Sequence, residues 1–303
     1  MSFSNTGPFD VCFKDLQRVT VKFLVSNFFN KSIRRTKHYQ EWLRMPMNYV
    51  RQAEIPLVLS LLNPSPNEKV LDVSSPKLLA LYMALKNFKV CATDADPYFV
   101  DDFCKYADLI PGGIELEMVD VRNMPFESGS FDKIFSISVL EHIPGDGDKL
   151  ALLEVNRVLS EKGACVISLP AFHKPLQEWQ VEKKFYWESV TDSNGRHFYQ
   201  RRYDRDQLSK LAEESGFQIE EVTYIAERPI VEPELDSNGT LIHNSGYIDT
   251  TIANHWVNHT PFKLLPLLPY IVSRNYSKKY HYLTKDYLDR NIRQVVLKLT
   301  KAR

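Results

Sequence analysis

MVDVRNMPFESGSFDKIFSISVLEH, residues Met118–His142, is the stretch from which the fold can be read. An apolar alternation over Glu115 to Val119 closes on Asp120, a polar turn follows at Glu127–Ser130, and a second apolar run covers Lys133 to Ser138. Two buried strands therefore lie close in the chain with no helix-length segment between them. That link is short for a chain of alternating strands and helices, so it marks one particular place in the sheet.

Upstream, Lys69-Val-Leu-Asp-Val predicts a first strand, Leu78 to Lys86 a helix, and Lys89-Val-Cys-Ala-Thr a second strand ending at Asp94. An acid at the end of a second strand, about twenty residues past the first, is what a nucleoside-binding α/β unit uses to accept hydrogen bonds from ribose hydroxyls. Asp96 is the neighbouring alternative. Tyr98 to Asp108 predicts a further helix, and Pro111-Gly-Gly leads into the strand that ends at Asp120. Downstream, Asp146-Gly-Asp opens a helix carrying Leu150, Leu153 and Val158, and a fifth strand, Ala164 to Leu169, follows Gly163. Asp204-Arg-Asp-Gln207 has an N-capping pattern, Gly216 stops that helix, and Gln218 to Ile225 and Val295 to Leu299 read as the last two strands.

A strand ending in Asp, a Met-Pro-Phe turn, then Ser-Phe-Asp, an apolar strand and Leu-Glu-His resembles the Rossmann-like, class I S-adenosylmethionine (SAM)-dependent methyltransferases, especially their small-molecule branch. Glu154-Val-Asn-Arg157-Val-Leu before Gly163 matches the same family, and the resemblance runs from about Val70 to Ile225. It implies an α/β fold with a seven-stranded Rossmann-like sheet, the final strand inserted antiparallel beside the sixth. It also implies SAM as cofactor. Asp94 takes the ribose, Asp120 the adenine amino group and Val121 supplies a backbone amide, while Ser136 and Ser138 lie beside the methionine moiety. The family's first motif carries glycines where this chain has Ser74, Pro76 and Leu78. In their absence Ser74 and Ser75 are expected to offer hydroxyls and amides, Asp72 to accept from the cofactor's amino group, and Lys77 to face its carboxylate.

Around this core, Phe13 to Leu62 reads as helices with a break near Met45–Pro46. The expected organisation is a helical cap over 1–64, a SAM-binding core over 65–226 with an insertion at 171–203, an excursion over 227–292, and a final core strand at 293–303. Both insertions leave from carboxyl ends of strands, where open α/β sheets bind ligands. The first holds Phe172, His173, Trp179, Phe185, Tyr186 and Trp187; the second holds His243, His255, Trp256, His259 and the Leu264–Tyr270 run. Such lining suits a mostly apolar small molecule, and a long excursion that builds its own small core is the competing explanation.

The 38 basic and 38 acidic side chains balance, so net charge gives no argument for nucleic acid. The basic run Lys31, Arg34, Arg35, Lys37 reads as a solvated helix face. Cys12, Cys91, Cys104 and Cys165 show no paired spacing and read as reduced residues of a cytoplasmic protein. MSFSNTGPFDVC lacks the layout of a secretory signal, and Pro261 to Val272 is far shorter than the ~20 residues of a spanning helix. His255 and His259 share a metal-ligand spacing, but no Glu follows the first, and no metal is assigned. His173, opening the first insertion, is expected to be the acid–base residue, with His142 shaping the methyl site and His255 a third candidate. The function expected is methyl transfer to an O, N or C atom of an apolar or aromatic small molecule. The alternatives are a catalytically inactive binding or partner subunit and a SAM-fold enzyme of a different reaction, such as cyclisation.

Overall fold

The computed structural model describes residues 8–110, 112–181, 190–228, 241–242 and 268–302. Four helices come first: α1 Pro8–Ser26, α2 Lys31–Arg34, α3 Lys37–Arg44 and α4 Arg51–Leu62. The core then alternates as β1 Lys69–Val73, α5 Leu78–Leu85, β2 Lys89–Asp94, α6 Pro97–Ala107 and β3 Glu115–Met118. β4 Phe131–Ile137 ends in a 3-10 turn, Leu140–His142, before α7 Gly147–Val158 and β5 Leu159–Pro170. β6 Leu176–Gln180, β7 His197–Arg202, α8 Arg205–Glu214, β8 Phe217–Glu227 and β9 Leu241–Ile242 follow, then α9 Leu268–Tyr280, β10 His281–Thr284 and β11 Ile292–Lys301.

The main sheet has the order β3-β2-β1-β4-β5-β11-β8-β10. Strands β1 to β5 are mutually parallel, and β11 is antiparallel to both β5 and β8. The strand order reverses between β1 and β4, so the crevice beyond their carboxyl ends is the switch point at which such sheets bind ligands. The seven-strand expectation needs one correction: β10, from inside the 227–292 excursion, pairs with β8 as an eighth, edge strand, His281 to Thr284 against Glu227 to Tyr224. The two insertions also meet in a second sheet of order β7-β6-β9.

The core strands are covered on both faces, so their residues sort by period two. Val70, Ala92, Phe135, Val166 and Val296 pack with the N-terminal helices and α5 and α6. Leu71, Cys91, Ile134, Cys165, Ile167 and Leu297 pack under α7 and α8. The 13–62 segment forms four helices because Thr36 and Asn30 cap new starts: Thr36 accepts from the Tyr39 amide, and Asn30 from those of Ser32 and Ile33. No described helix is long and apolar enough to cross a membrane.

Candidate functional site

A cavity of about 860 Å³ opens at the switch point. Of the residues singled out in the sequence it brings together Ser74, Asp94, Asp120, Val121, Ser138 and His142, with Asp96 beside them. Asp72, Ser75, Lys77 and Ser136 lie behind this wall, each almost completely buried. His173 is elsewhere, exposed and lining a separate hollow of about 170 Å³ with Phe172, Tyr203 and Tyr224. Phe185, Tyr186, Trp187, His243, His255, Trp256 and His259 lie outside the described residues.

The loop after β1 closes without glycine at its first turn because Ser74 itself adopts φ +51°, a left-handed conformation in which its amide donates to the Thr93 carbonyl at 3.1 Å. Ser75 ties two strands together, its amide donating to Asp72 Oδ1 at 2.9 Å while its hydroxyl oxygen accepts from the Ile137 amide at 2.9 Å. Lys77, expected to face a bound carboxylate, turns under the loop instead. Its Nζ lies 2.7 Å from the Thr93 carbonyl, 3.2 Å from Asp94 Oδ2 and 3.4 Å from Asp72 Oδ2, and 4.6 Å above the Phe99 ring. Burial raises the Asp72 pKa to about 6, with Lys77 and the Ser75 amide pulling the other way. Asp94, partly exposed, keeps lone pairs toward the cavity while Oδ1 accepts from the Asp96 amide at 3.1 Å. Asp120 accepts from Arg122 on both oxygens, which holds its carboxyl below the usual range.

The other end of the cavity contains residues that the sequence reading passed over. Arg51 at the start of α4 reaches Ser138, its Nη1 donating to Oγ at 2.8 Å, and also pairs with Glu54. Glu54 is fully buried and accepts from Ser138 Oγ at 2.8 Å and from the Ser168 hydroxyl. Two charges three residues apart at the head of the otherwise apolar RQAEIPLVLSLL were the available signal. Ser138 also adopts a left-handed φ, +49°, so both strands flanking the switch point end in a sharp backbone turn. His142 donates from Nδ1 to the Tyr199 carbonyl at 2.7 Å, and Tyr199, from β7 of the first insertion, lines the cavity. At the rim, His38 pairs with Asp102 at 2.6 Å. Arg35 and Lys37, from the basic run read as a solvated face, line the rim too. Among the described residues there is no cluster of three or more metal-ligating side chains.

An open parallel sheet with acids at three successive strand ends, two of them facing a switch-point cavity, is a Rossmann-like arrangement. Residues 71–167, from β1 through β5, match the family model described as a methyltransferase domain. An uncharacterised 37.1 kDa protein from a transposon of Streptomyces fradiae is 26% identical over 215 residues. The match takes in 67% of this chain and spans 60% of that relative's length. Among solved structures, the [4+2]-cyclase SpnF is similar at 14% identity and a TM-score of 0.49, over 83% of this chain and 82% of that one. A putative methyltransferase from Bacillus halodurans gives 14% and 0.47 over 82% and 99%. A SAM-dependent methyltransferase from Methanosarcina mazei gives 13% and 0.45 over 79% and 94%.

Proposed function

We propose that the chain transfers a methyl group from SAM to an O, N or C atom of an apolar or aromatic small molecule. The observation that carries this reading is the continuity of one cavity from the strand-end acids to His142 and Tyr199. Its volume, about 860 Å³, lies toward the upper end of the roughly 300–1,000 Å³ usual for small-molecule sites, which suits two ligands side by side. The residues present fit the cofactor: Asp94 and Asp96 offer acceptors for ribose hydroxyls, and Asp120 with Val121 stands where an adenine edge would be read. Arg51 replaces the inward-turned Lys77 as the cation facing the cavity at the methionine end. The left-handed turns at Ser74 and Ser138 line the same cavity, where their backbone would approach the ligand.

Bound SAM supplies an electrophilic methyl group on a positively charged sulfur. The chain's part is to hold the acceptor against that methyl, keep water out and take a proton where the nucleophile carries one. Phe99, Val139, Ile143, Pro144 and Tyr199 give the cavity its apolar lining and support the acceptor class. His142 is the base in this reading, because it lines the cavity with Nδ1–H fixed on a carbonyl, which leaves Nε2 as the basic nitrogen. Calorimetric titration with SAM and its demethylated product tests the cofactor assignment. Both should bind, and Asp94→Ala should weaken SAM binding by roughly 1–3 kcal/mol, the cost of lost hydrogen bonds to a charged acceptor. Absence of any heat at millimolar SAM overturns it.

A further inference from the structure

The 3-10 turn after β4 sets two titratable side chains next to each other with opposite surroundings. His142 lines the cavity, whereas Glu141 does not and is completely buried. Neither Glu141 oxygen has a hydrogen-bond partner among the described residues. A buried carboxyl left in that state is costly and uncommon, and it calls for a physical explanation.

The neighbours account for its surroundings. From α4 come Arg51 and Glu54, and Glu54 has already engaged Arg51, Ser138 and Ser168. From β7 and its end come Tyr199 and Tyr203, both of whose hydroxyls feel the Glu141 charge; Glu178 also acts on Tyr199, and Asp148 on Tyr203. Burial, with the like charge of Glu54 adding to it, pushes the Glu141 pKa up to about 8, against the pull of its own backbone amide, of Arg51 and of the Ser138 hydroxyl. The titratable group on its own turn is His142, whose Nε2 lies 3.8 Å from Glu141 Oε1. Because the Tyr199 carbonyl can only accept, His142 Nδ1 carries the hydrogen and the basic nitrogen is the one beside Glu141.

Resting on the methyl-transfer reading, we propose that Glu141 is a positioning residue that sets the basicity of His142, its carboxylate holding the imidazolium formed when His142 Nε2 takes the acceptor's proton. In that step the acceptor's X–H electron pair becomes the new X–CH3 bond, the proton forms the Nε2–H bond, and the carbon–sulfur pair stays on sulfur. The positive charge lost from sulfur reappears on the ring, 3.8 Å from a group able to become its counterion. Below its pKa the neutral Glu141 carboxyl gives the ring little support; above it the carboxylate gives full support.

The test is a nitrogen-NMR titration of the His142 ring in the full chain, with and without Glu141→Gln, alongside single-turnover rates and calorimetric SAM binding. Wild type should show an inflection of the His142 signals near pH 8 and a rate that rises through the same range. In Glu141→Gln both should disappear, with the rate above pH 8 down about tenfold and SAM affinity unchanged. Titration and pH–rate curves that superimpose on wild type overturn the coupling and reduce Glu141 to packing. Should Glu141→Gln fail to fold, the carboxyl carbon of Glu141 is followed in His142→Gln, where an unchanged titration also overturns the proposal. Failure of wild type to bind SAM is a separate result, and it overturns the methyl-transfer reading together with the proton step.

Discussion

Lys77→Met removes the one charge that the loop after β1 uses to close over two acids. The Lys77 side chain is 3% exposed and Asp72 is fully buried, while Asp94 is 22% exposed. Met keeps the stem and deletes the ammonium, so Asp72 loses its nearest cation and the Thr93 carbonyl loses its donor. In the native state Asp72 holds its proton up to about pH 6, and an unperturbed carboxyl holds it only to 3.8. Between these values the folded chain binds more protons than the unfolded one. The Asp72 contribution to stability therefore falls as pH rises, by about 1.4 kcal/mol per unit and roughly 3 kcal/mol in all, and is flat above. Without Lys77 the native pKa moves higher still, and the decline of this contribution continues past pH 6, where that of wild type has levelled off. At pH 5, with Asp72 neutral in both proteins, the variant loses mainly the hydrogen bond to Thr93, about 1–2 kcal/mol. At pH 8 it carries a buried carboxyl without its partner, a loss of about 3–5 kcal/mol. Urea unfolding at the two pH values, read by linear extrapolation with unchanged slope, measures both losses. An equal loss at pH 5 and pH 8, or less than 1 kcal/mol at pH 8, refutes the view that Lys77 compensates Asp72.

Two further predictions follow from backbone geometry and burial. Ser74→Gly should leave the melting temperature level or higher, because relief of the left-handed φ of +51° offsets the extra freedom of the unfolded chain, whereas Ser74→Val should destabilise by about 1–2 kcal/mol; equal effects in scanning calorimetry would remove backbone strain as the explanation. His281 is buried against the Tyr49 ring, and burial lowers its pKa from 6.5 to about 3. The unfolded imidazole takes up a proton below pH 6.5 that the native one refuses, so the His281 contribution to stability should drop on acidification from pH 6.5 toward 3 by about 1.4 kcal/mol per unit. His281→Gln should flatten that limb, and a limb of unchanged slope would show that other groups produce it.

The parallel half of the sheet was legible because the inner strands β1, β2 and β4 are buried apolar runs with a polar residue at or near the end, Asp72, Asp94 and Ser138, and because the exposed edge strand β3 is followed by Asp120. The antiparallel edge was legible only in part. β11 and β8 carry long apolar runs, but β10, His281-Tyr-Leu-Thr, is four residues long and covered on one side only, too short for period two to separate it from a loop. The N-terminal helices were visible and their subdivision was not, since a cap such as Thr36 is an ordinary surface residue until its helix exists.

The candidate site divides along a different line, between residues whose role depends on position along a strand and residues whose role depends on which way a side chain turns. Asp94 at the end of β2 faces the crevice whatever the neighbouring loop does. Lys77 sits in a turn with two carboxylates within reach behind it and a cavity in front. The spacing that suggested an outward lysine is equally satisfied by an inward one. What decides is the absence of glycine: Pro76 and Leu78 make a loop whose side chains need somewhere to go, and Leu78 at 1% exposure takes the apolar side while Lys77 takes the acids. With Lys77 turned under the loop, a cation lining the cavity beside Ser138 comes from another element, α4, through Arg51, and Arg51 brings Glu54 with it. Glu54 accepts from Ser138 and Ser168, and its like charge bears on Glu141. The loop after β1 thus closes without the glycines expected at Ser74, Pro76 and Leu78, and the buried carboxyl behind His142 faces the Arg51–Glu54 pair of α4. Restoring the first of those glycines in Ser74→Gly should leave the Glu141 titration untouched, whereas Arg51→Met, which removes the cation from both carboxylates, should raise the Glu141 pKa further.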